Sequence, residues 1–342
     1  MFESSKGTIV IYVPHTTLGD NIILFEILAK LFRGYSSYRF ILFINHSFVE
    51  LYLGQFEDSD LELKRLYFNP WRFSGIGILG ESWRKLNLIS AYFRIFLAIF
   101  PRFKNVTLLG PDWMIAPESG LNLVNPHFRK LIPSVTNKDI KVLKETRSSG
   151  DSFGLDHRNH ILNQLAAIGL PVEAKGGIQF KSGVGPEKVD EFIKNHRISL
   201  DNFIICFLGA GDESRDWTTA HKEELTKMSL RETQLVFIGS RERKELISLK
   251  NMLQLVSYSR LVVSNDTGWA HCAIAMGVPL VCISTIQNEK DDPYIKESSK
   301  VSVIRPERLM PGCSIKCSKH YYHCISAVSL LSVVDVIHHQ KI

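Results

Sequence analysis

The chain has 342 residues, of which 45% are hydrophobic and 22% charged, and its formal net charge is +6. These proportions exclude a disordered chain, and the length predicts two domains. The longest apolar stretch, residues 86–100, contains Asn87 and Arg94 and is shorter than the roughly 20 residues that span a bilayer. The N-terminus lacks the pattern of a signal peptide. We therefore expect a cytoplasmic protein.

The first part of the chain alternates strand and helix patterns. TIVIYVP (8–14) is an apolar, β-branched run that predicts a buried strand, and NIILFEILAKLFRG (21–34) repeats apolar residues at helical spacing. YRFILFIN (38–45) predicts a second buried strand. This order is the opening of a parallel α/β layer.

A second α/β series follows a loop rich in Gly and Lys at 174–188. Its predicted strands and helices alternate along the sequence: FIICFLG (203–209), TTAHKEELTKM (218–228), TQLVFIGS (233–240), RLVVSN (260–265), TGWAHCAIAMG (267–277) and VPLVCIS (278–284). We expect an N-terminal domain over 1–174 and a C-terminal domain over 175–325. Residues 326–342 are expected to form a helix that packs back on the N-terminal domain.

The stretch SNDTGWAH joins a predicted strand to a predicted helix. Asp266 is expected at the N-cap, with Thr267 and Gly268 opening the helix. Capping alone would account for these residues. Alternatively, free amides at the helix N-terminus form an anion site, and His271 could donate to a phosphate oxygen, which suits a nucleoside diphosphate.

Two further loops of the second series carry candidate binding residues. In LGAGDESRDW, Gly209 gives the loop freedom and Arg215 could hold phosphate oxygens through two hydrogen bonds. In GSRERKEL, Glu242 could accept hydrogen bonds from ribose hydroxyls. A solvated loop and a plain helix start remain alternatives for these two segments.

Asp20 follows a glycine at the first strand-to-helix joint, HTTLGDNII. It is an N-cap in the structural interpretation. In the functional interpretation it is a general base for a hydroxyl group.

Taken together, the GD at the first joint, the GAG…RDW loop and the SNDTGWAH…GVP stretch resemble the ADP-heptose:lipopolysaccharide heptosyltransferase family. The resemblance implies an α/β fold of the GT-B type, with two Rossmann-like domains facing across a cleft. It also implies that the donor is bound mainly by the C-terminal domain and the acceptor by the N-terminal one.

The activity implied by this resemblance is inverting transfer of heptose from ADP-heptose to a lipopolysaccharide core or another surface glycan in bacteria. Asp20 is the implied catalytic base. The implied donor-binding residues are Gly209, Arg215, Glu242, Asp266, Thr267, Gly268 and His271, with Arg215 standing where the family usually has a lysine. No metal or other cofactor is expected, and no nucleic-acid partner. A nucleotide-sugar epimerase and a non-catalytic nucleotide-sugar binder are the alternatives.

Two further segments are candidates for binding. Cys313, Cys317 and Cys324, with two histidines between them, could ligate zinc or be ordinary reduced thiols. Residues 82–105 contain cations and no acidic residue, so they could form a basic amphipathic helix on anionic lipid. That would place the protein at the inner membrane beside a lipid-linked acceptor. A helix buried in the N-terminal domain would show the same pattern.

Overall fold

The structure, a computed structural model, describes residues 8–13, 18–53, 55–56, 59–66, 106–109, 141–142, 162, 165–166, 169–172, 186–209, 217, 219–227, 233–239, 242, 245–246, 248–284, 300–306 and 328–339. The chain divides into two compact units. The first contains residues 1–151 and 157–174, and the second contains 152–156 and 175–342.

The first unit contains a five-stranded parallel sheet in the order β3-β2-β1-β4-β5. Its elements in chain order are β1 (Thr8–Val13), helix α1 (Leu18–Gly34), β2 (Arg39–Asn45), a 3-10 turn (His46–Leu51), β3 (Asp60–Leu66), β4 (Val106–Leu109) and β5 (Lys141–Val142). The predicted strand–helix–strand opening is confirmed, and α1 ends at Gly34 as predicted.

The second unit contains another five-stranded parallel sheet, in the order β10-β9-β8-β6-β7. Its elements are α2 (Pro186–Asn195), β6 (Phe203–Phe207), α3 (Thr219–Lys227), β7 (Gln234–Phe237), α4 (Leu249–Tyr258), β8 (Leu261–Asn265), α5 (Gly268–Ala275), β9 (Leu280–Ile283), β10 (Val301–Ile304) and α6 (Leu330–His339). Strands β6, β8 and β9 are buried along their whole length, as their continuous apolar runs require.

Helix α6 packs within the second unit. Val333, Val334 and Ile337 belong to the same buried core as Leu225 of α3 and Ile283 of β9. The expectation that the C-terminal helix packs back on the first domain stays a prediction.

Candidate functional site

The second sheet changes direction between β6 and β8. Strand β7 pairs with one edge of β6 and the later strand β8 pairs with the other edge. The connections that follow β6 and β8 therefore leave the sheet on opposite sides. Open α/β sheets bind ligands in the crevice that this reversal creates at the carboxyl ends of the strands. The stretches after these two strands are the LGAG and NDTG motifs.

Helix α5 begins at this crevice and carries the NDTG motif. Its N-cap is Thr267, in an extended conformation, and the Thr267 hydroxyl oxygen accepts from the Trp269 N–H at 3.4 Å. The prediction that Asp266 is the N-cap is wrong by one residue. Strand pairing continues through Asp266, whose N–H donates to the Ile283 carbonyl at 3.1 Å, so the helix starts one position later.

The first turn of α5 offers backbone donors to a ligand. The Ala270 N–H donates to the Thr267 carbonyl at 3.0 Å. The N–H groups of Thr267 and Gly268 make no hydrogen bond within the described part of the chain. His271 lies one turn beyond Thr267 and is partly exposed, on the same side of the helix because residues four apart share a face. Two amides at the positive end of a helix, one turn before His271, can receive an anion.

A buried serine orients the Thr267 hydroxyl group. The Ser264 hydroxyl donates to the Asn265 carbonyl at 2.7 Å, which uses its only proton. The 3.2 Å contact between the Ser264 and Thr267 hydroxyl oxygens therefore has Thr267 as its donor. Because the Thr267 hydroxyl donates its only proton to Ser264, it has no proton left for a phosphate oxygen. The backbone amides of Thr267 and Gly268 are therefore the donors that could bind phosphate there.

Ring stacking fixes α5 against the sheet. The Trp269 and Phe207 rings are stacked, with centroids 4.5 Å apart and planes 5° apart. Cys272 of α5 is fully buried, as is Cys206 of β6, and burial raises the pKa of both thiols well above the usual range. These two cysteines are core residues, not nucleophiles.

An asparagine side chain joins the two candidate loops. Asn265 is fully buried at the end of β8, and its amide nitrogen donates to the Leu208 carbonyl at 2.9 Å, immediately before Gly209. The sequence pattern assigns no individual role to Asn265 or Ser264, although two polar residues end an otherwise apolar strand pattern.

Glu242 follows the end of β7, the strand that pairs with the outer edge of β6. The Ile238 N–H donates to the Cys206 carbonyl at 3.0 Å, and the next N–H, that of Gly239, donates to Oε2 of Glu242 at 2.8 Å. One carboxylate oxygen of this partly exposed residue is thus used by its own loop. Within the described part of the chain the other oxygen makes no hydrogen bond, so it could accept from a ligand hydroxyl.

Asp20 lies in the first unit, in the helix that follows the strand at which that sheet reverses direction. Strand β1 pairs with β2 on one edge and β4 on the other, so the first sheet also reverses direction beside β1. The backbone of Asp20 lies in the first turn of α1, the helix that follows β1. The backbone of Asp20 therefore follows the carboxyl end of β1, which is the sheet edge at which open α/β sheets generally bind ligands.

Several predicted sites lie outside the described residues. They are Arg215, the cysteines Cys313, Cys317 and Cys324, and the basic segment 82–105. Within the described ranges no cluster of His, Cys, Asp and Glu has the arrangement of a metal site. No helix of the same ranges combines the length and apolar character needed to cross a membrane.

Comparison with known families identifies one match. Residues 246–323 match the model of glycosyltransferase family 9 (heptosyltransferase). The match includes α4, β8 and α5 and hence Asp266, Thr267, Gly268 and His271. No protein with a curated description matches the chain.

Solved structures share the fold over the whole chain. A family 9 glycosyl transferase from Veillonella parvula has 14% identity and a TM-score of 0.67, with 99% of each chain covered. The E. coli ADP-heptose lps heptosyltransferase II has 17% identity and a TM-score of 0.53, covering 96% of this chain and 99% of its own. The E. coli heptosyltransferase WaaC, solved with ADP-2-deoxy-2-fluoro heptose, has 13% identity and a TM-score of 0.55, covering 98% and 100%. The predicted GT-B fold class and the predicted family resemblance are confirmed.

Proposed function

We infer that this chain is a glycosyltransferase of the family 9 (heptosyltransferase) type, and we propose that it transfers heptose from ADP-heptose to a hydroxyl group of a lipopolysaccharide core or another surface glycan. The observation that carries the proposal is the N-terminus of α5. The family match covers it, and two backbone N–H groups are available there at the reversal point of the sheet.

The three strand ends of the second unit suit different parts of a nucleotide sugar. The Thr267 and Gly268 amides suit the diphosphate, because the helix N-terminus favours negative charge. His271 would donate to a phosphate oxygen from the next turn. Glu242 would accept from the ribose hydroxyls with the oxygen that Gly239 leaves available. Gly209 would let the backbone approach the donor, and Arg215 would add a cation beside the phosphates.

The proposed reaction is a single displacement with inversion. The Asp20 carboxylate removes the proton from the acceptor hydroxyl as its oxygen attacks the anomeric carbon. The bond between that carbon and the diphosphate oxygen breaks, and the nucleoside diphosphate leaves with the bonding electrons. Negative charge grows on the departing diphosphate, so amides fixed in place stabilise the transition state more than the ground state. No step of this scheme calls for a metal ion.

The acceptor side is proposed from the sequence. A lipid-linked glycan would meet the first unit, where Asp20 lies at the sheet edge. The cations of residues 82–105 would hold the protein at the anionic inner membrane, on its cytoplasmic face.

A transfer assay tests the proposal directly. Purified protein is incubated with ADP-heptose and heptose-free lipopolysaccharide core, with and without EDTA, and the mass of the core is followed. We expect one heptose to be added, with EDTA having no effect. Asp20→Asn should lower kcat by at least 100-fold, since general base catalysis contributes about 10²–10⁴-fold, and should leave ADP affinity within threefold. Asp60→Asn is the matched control, because Asp60 begins β3 at the opposite, amino-terminal edge of the first sheet.

Other results would assign a different function. Binding of ADP-heptose without transfer to any acceptor would indicate a non-catalytic binder. Conversion of a free nucleotide sugar to its epimer would indicate the epimerase alternative. Equal activity of the Asp20→Asn and Asp60→Asn proteins would remove Asp20 from the mechanism.

A further inference from the structure

We propose that Asn265 is a positioning residue, which holds the Leu208 carbonyl at the end of β6 and the N-terminus of α5 in one arrangement so that Gly209 and α5 contact the same diphosphate. This inference rests on the proposed function, because it assigns the donor to these two segments. Asn265 is not placed in contact with the substrate. Its effect passes through the backbone groups that it fixes.

Asn265 extends the pairing of β8 beyond the end of the backbone ladder. The β6–β8 register ends with Phe207 opposite Ser264. One residue further, the Asn265 side chain supplies the donor to the Leu208 carbonyl that a backbone N–H would supply in a longer strand. On the other edge of β8, the Asp266 N–H donates to the Ile283 carbonyl of β9. The backbone entering α5 is thus held from both neighbouring strands.

Ser264 fixes the same turn from its other end. It is fully buried, donates to the Asn265 carbonyl and accepts from the Thr267 hydroxyl. Hydrogen bonds therefore fix the carbonyl and side chain of Asn265, the N–H of Asp266 and the hydroxyl of Thr267. Four successive residues, from Ser264 to Thr267, are held at the point where two amides remain available.

Packing in the core alone does not explain why positions 264 and 265 carry the polar residues Ser264 and Asn265. The preceding residues of the strand, Leu261, Val262 and Val263, are fully buried and apolar. A further aliphatic residue at 265 would avoid the cost of burying an amide, which is recovered only through its hydrogen bonds. The Asn265 bond joins residues 57 positions apart in the sequence, and these residues precede the two predicted phosphate loops.

The test compares two buried asparagines. Asn251 is also buried, and its amide donates to the Leu246 carbonyl at 2.7 Å within a single connection. Asn265→Ala and Asn251→Ala each remove one buried amide-to-carbonyl bond, so both should lower the melting temperature. ADP affinity is measured by calorimetry, and the KM values for donor and acceptor are measured in the transfer assay.

We expect Asn265→Ala to raise the Kd of ADP and the donor KM at least tenfold, with the acceptor KM unchanged. Asn251→Ala should leave the Kd of ADP within twofold of wild type. Ser264→Ala, a smaller change, should raise the Kd of ADP at least threefold, and it provides the test if Asn265→Ala does not fold.

Equal Kd values for ADP in wild type and in the folded Asn265→Ala or Ser264→Ala protein would overturn the inference and leave the proposed function intact. Similar losses of affinity in Asn265→Ala and Asn251→Ala would also overturn it, because the effect would then be general destabilisation. If wild type binds neither ADP nor ADP-heptose, the proposed function fails and the inference fails with it.

Discussion

Gly277 ends helix α5 in the left-handed region, with φ of 69°. Its N–H donates to the Ile274 carbonyl and that of Val278 donates to the Ala273 carbonyl, both at 2.9 Å, which is the Schellman arrangement. A Cβ placed on Gly277 would meet no heavy atom within 4 Å. The cost of Gly277→Ala is therefore backbone strain alone, about 1–2 kcal/mol of the free energy of unfolding.

Two glycines of the first unit provide a comparison, because they differ in backbone conformation but both have space for a Cβ. Gly169 has φ of 82° and Gly34 has no positive φ, and neither has a heavy atom within 4 Å of an added Cβ. In urea denaturation followed by circular dichroism, Gly277→Ala and Gly169→Ala should each lose about 1–2 kcal/mol, whereas Gly34→Ala should be neutral or gain about 0.4–1 kcal/mol. The Kd of ADP should not change in Gly277→Ala, because the strain lies at the opposite end of α5 from Thr267. A loss in Gly34→Ala as large as in the other two would refute the assignment to left-handed strain.

Three further predictions concern the second unit. Thr267→Val should lower the free energy of unfolding, measured by urea denaturation, by about 0.5–1 kcal/mol. This is the low end for the loss of an N-cap, because the hydrogen bond from the Trp269 N–H to the Thr267 hydroxyl is 3.4 Å long. Thr267→Ser should be neutral, and equal stability of wild type and both variants would contradict the cap assignment. Glu242→Gln keeps the size of the side chain but removes the negative charge of the carboxylate that accepts from the Gly239 N–H. Calorimetry should show that the variant binds ADP at least threefold more weakly than wild type does, with a smaller loss for 2′-deoxy-ADP. Equal losses of affinity for both ligands would exclude a ribose contact. Burial raises the pKa of the Cys206 and Cys272 thiols, so as the pH rises the unfolded state loses these protons before the folded state does. The free energy of unfolding should therefore fall above about pH 8.5. Urea titrations should show a shallower fall with pH when both cysteines are changed to Ala, and an unchanged pH dependence would argue against buried thiols.

Much of the fold follows from short sequence patterns. The apolar runs predict each strand of the second sheet from β6 to β9 with ends within three residues. The runs of β6, β8 and β9 are continuous because strands covered on both faces must be apolar throughout. Gly34 and Gly277 mark the ends of α1 and α5. The start of α5 is missed by one residue because Asp and Thr both cap helices well. Only the pairing of the Asp266 N–H with Ile283 decides between them.

The supporting contacts of the site could not be predicted in the same way. Asn265 donates to a carbonyl 57 residues earlier, and no local spacing encodes that distance. Ser264 gains its role from the bond to its own neighbour's carbonyl, which leaves Thr267 as the donor of their shared contact. The tertiary fold, which brings the ends of β6 and β8 side by side, creates both relationships. The packing of α6 on its own unit likewise depends on which core its apolar face completes.

A crystal structure of the protein with ADP would show whether the N-terminus of α5 binds the diphosphate. We expect a phosphate oxygen within about 3 Å of the Thr267 and Gly268 amide nitrogens. We also expect the Asn265 amide to donate to the Leu208 carbonyl in the complex, as it does in the free protein. ADP bound with its phosphates away from α5, and the Thr267 and Gly268 N–H groups contacting only water, would contradict this expectation.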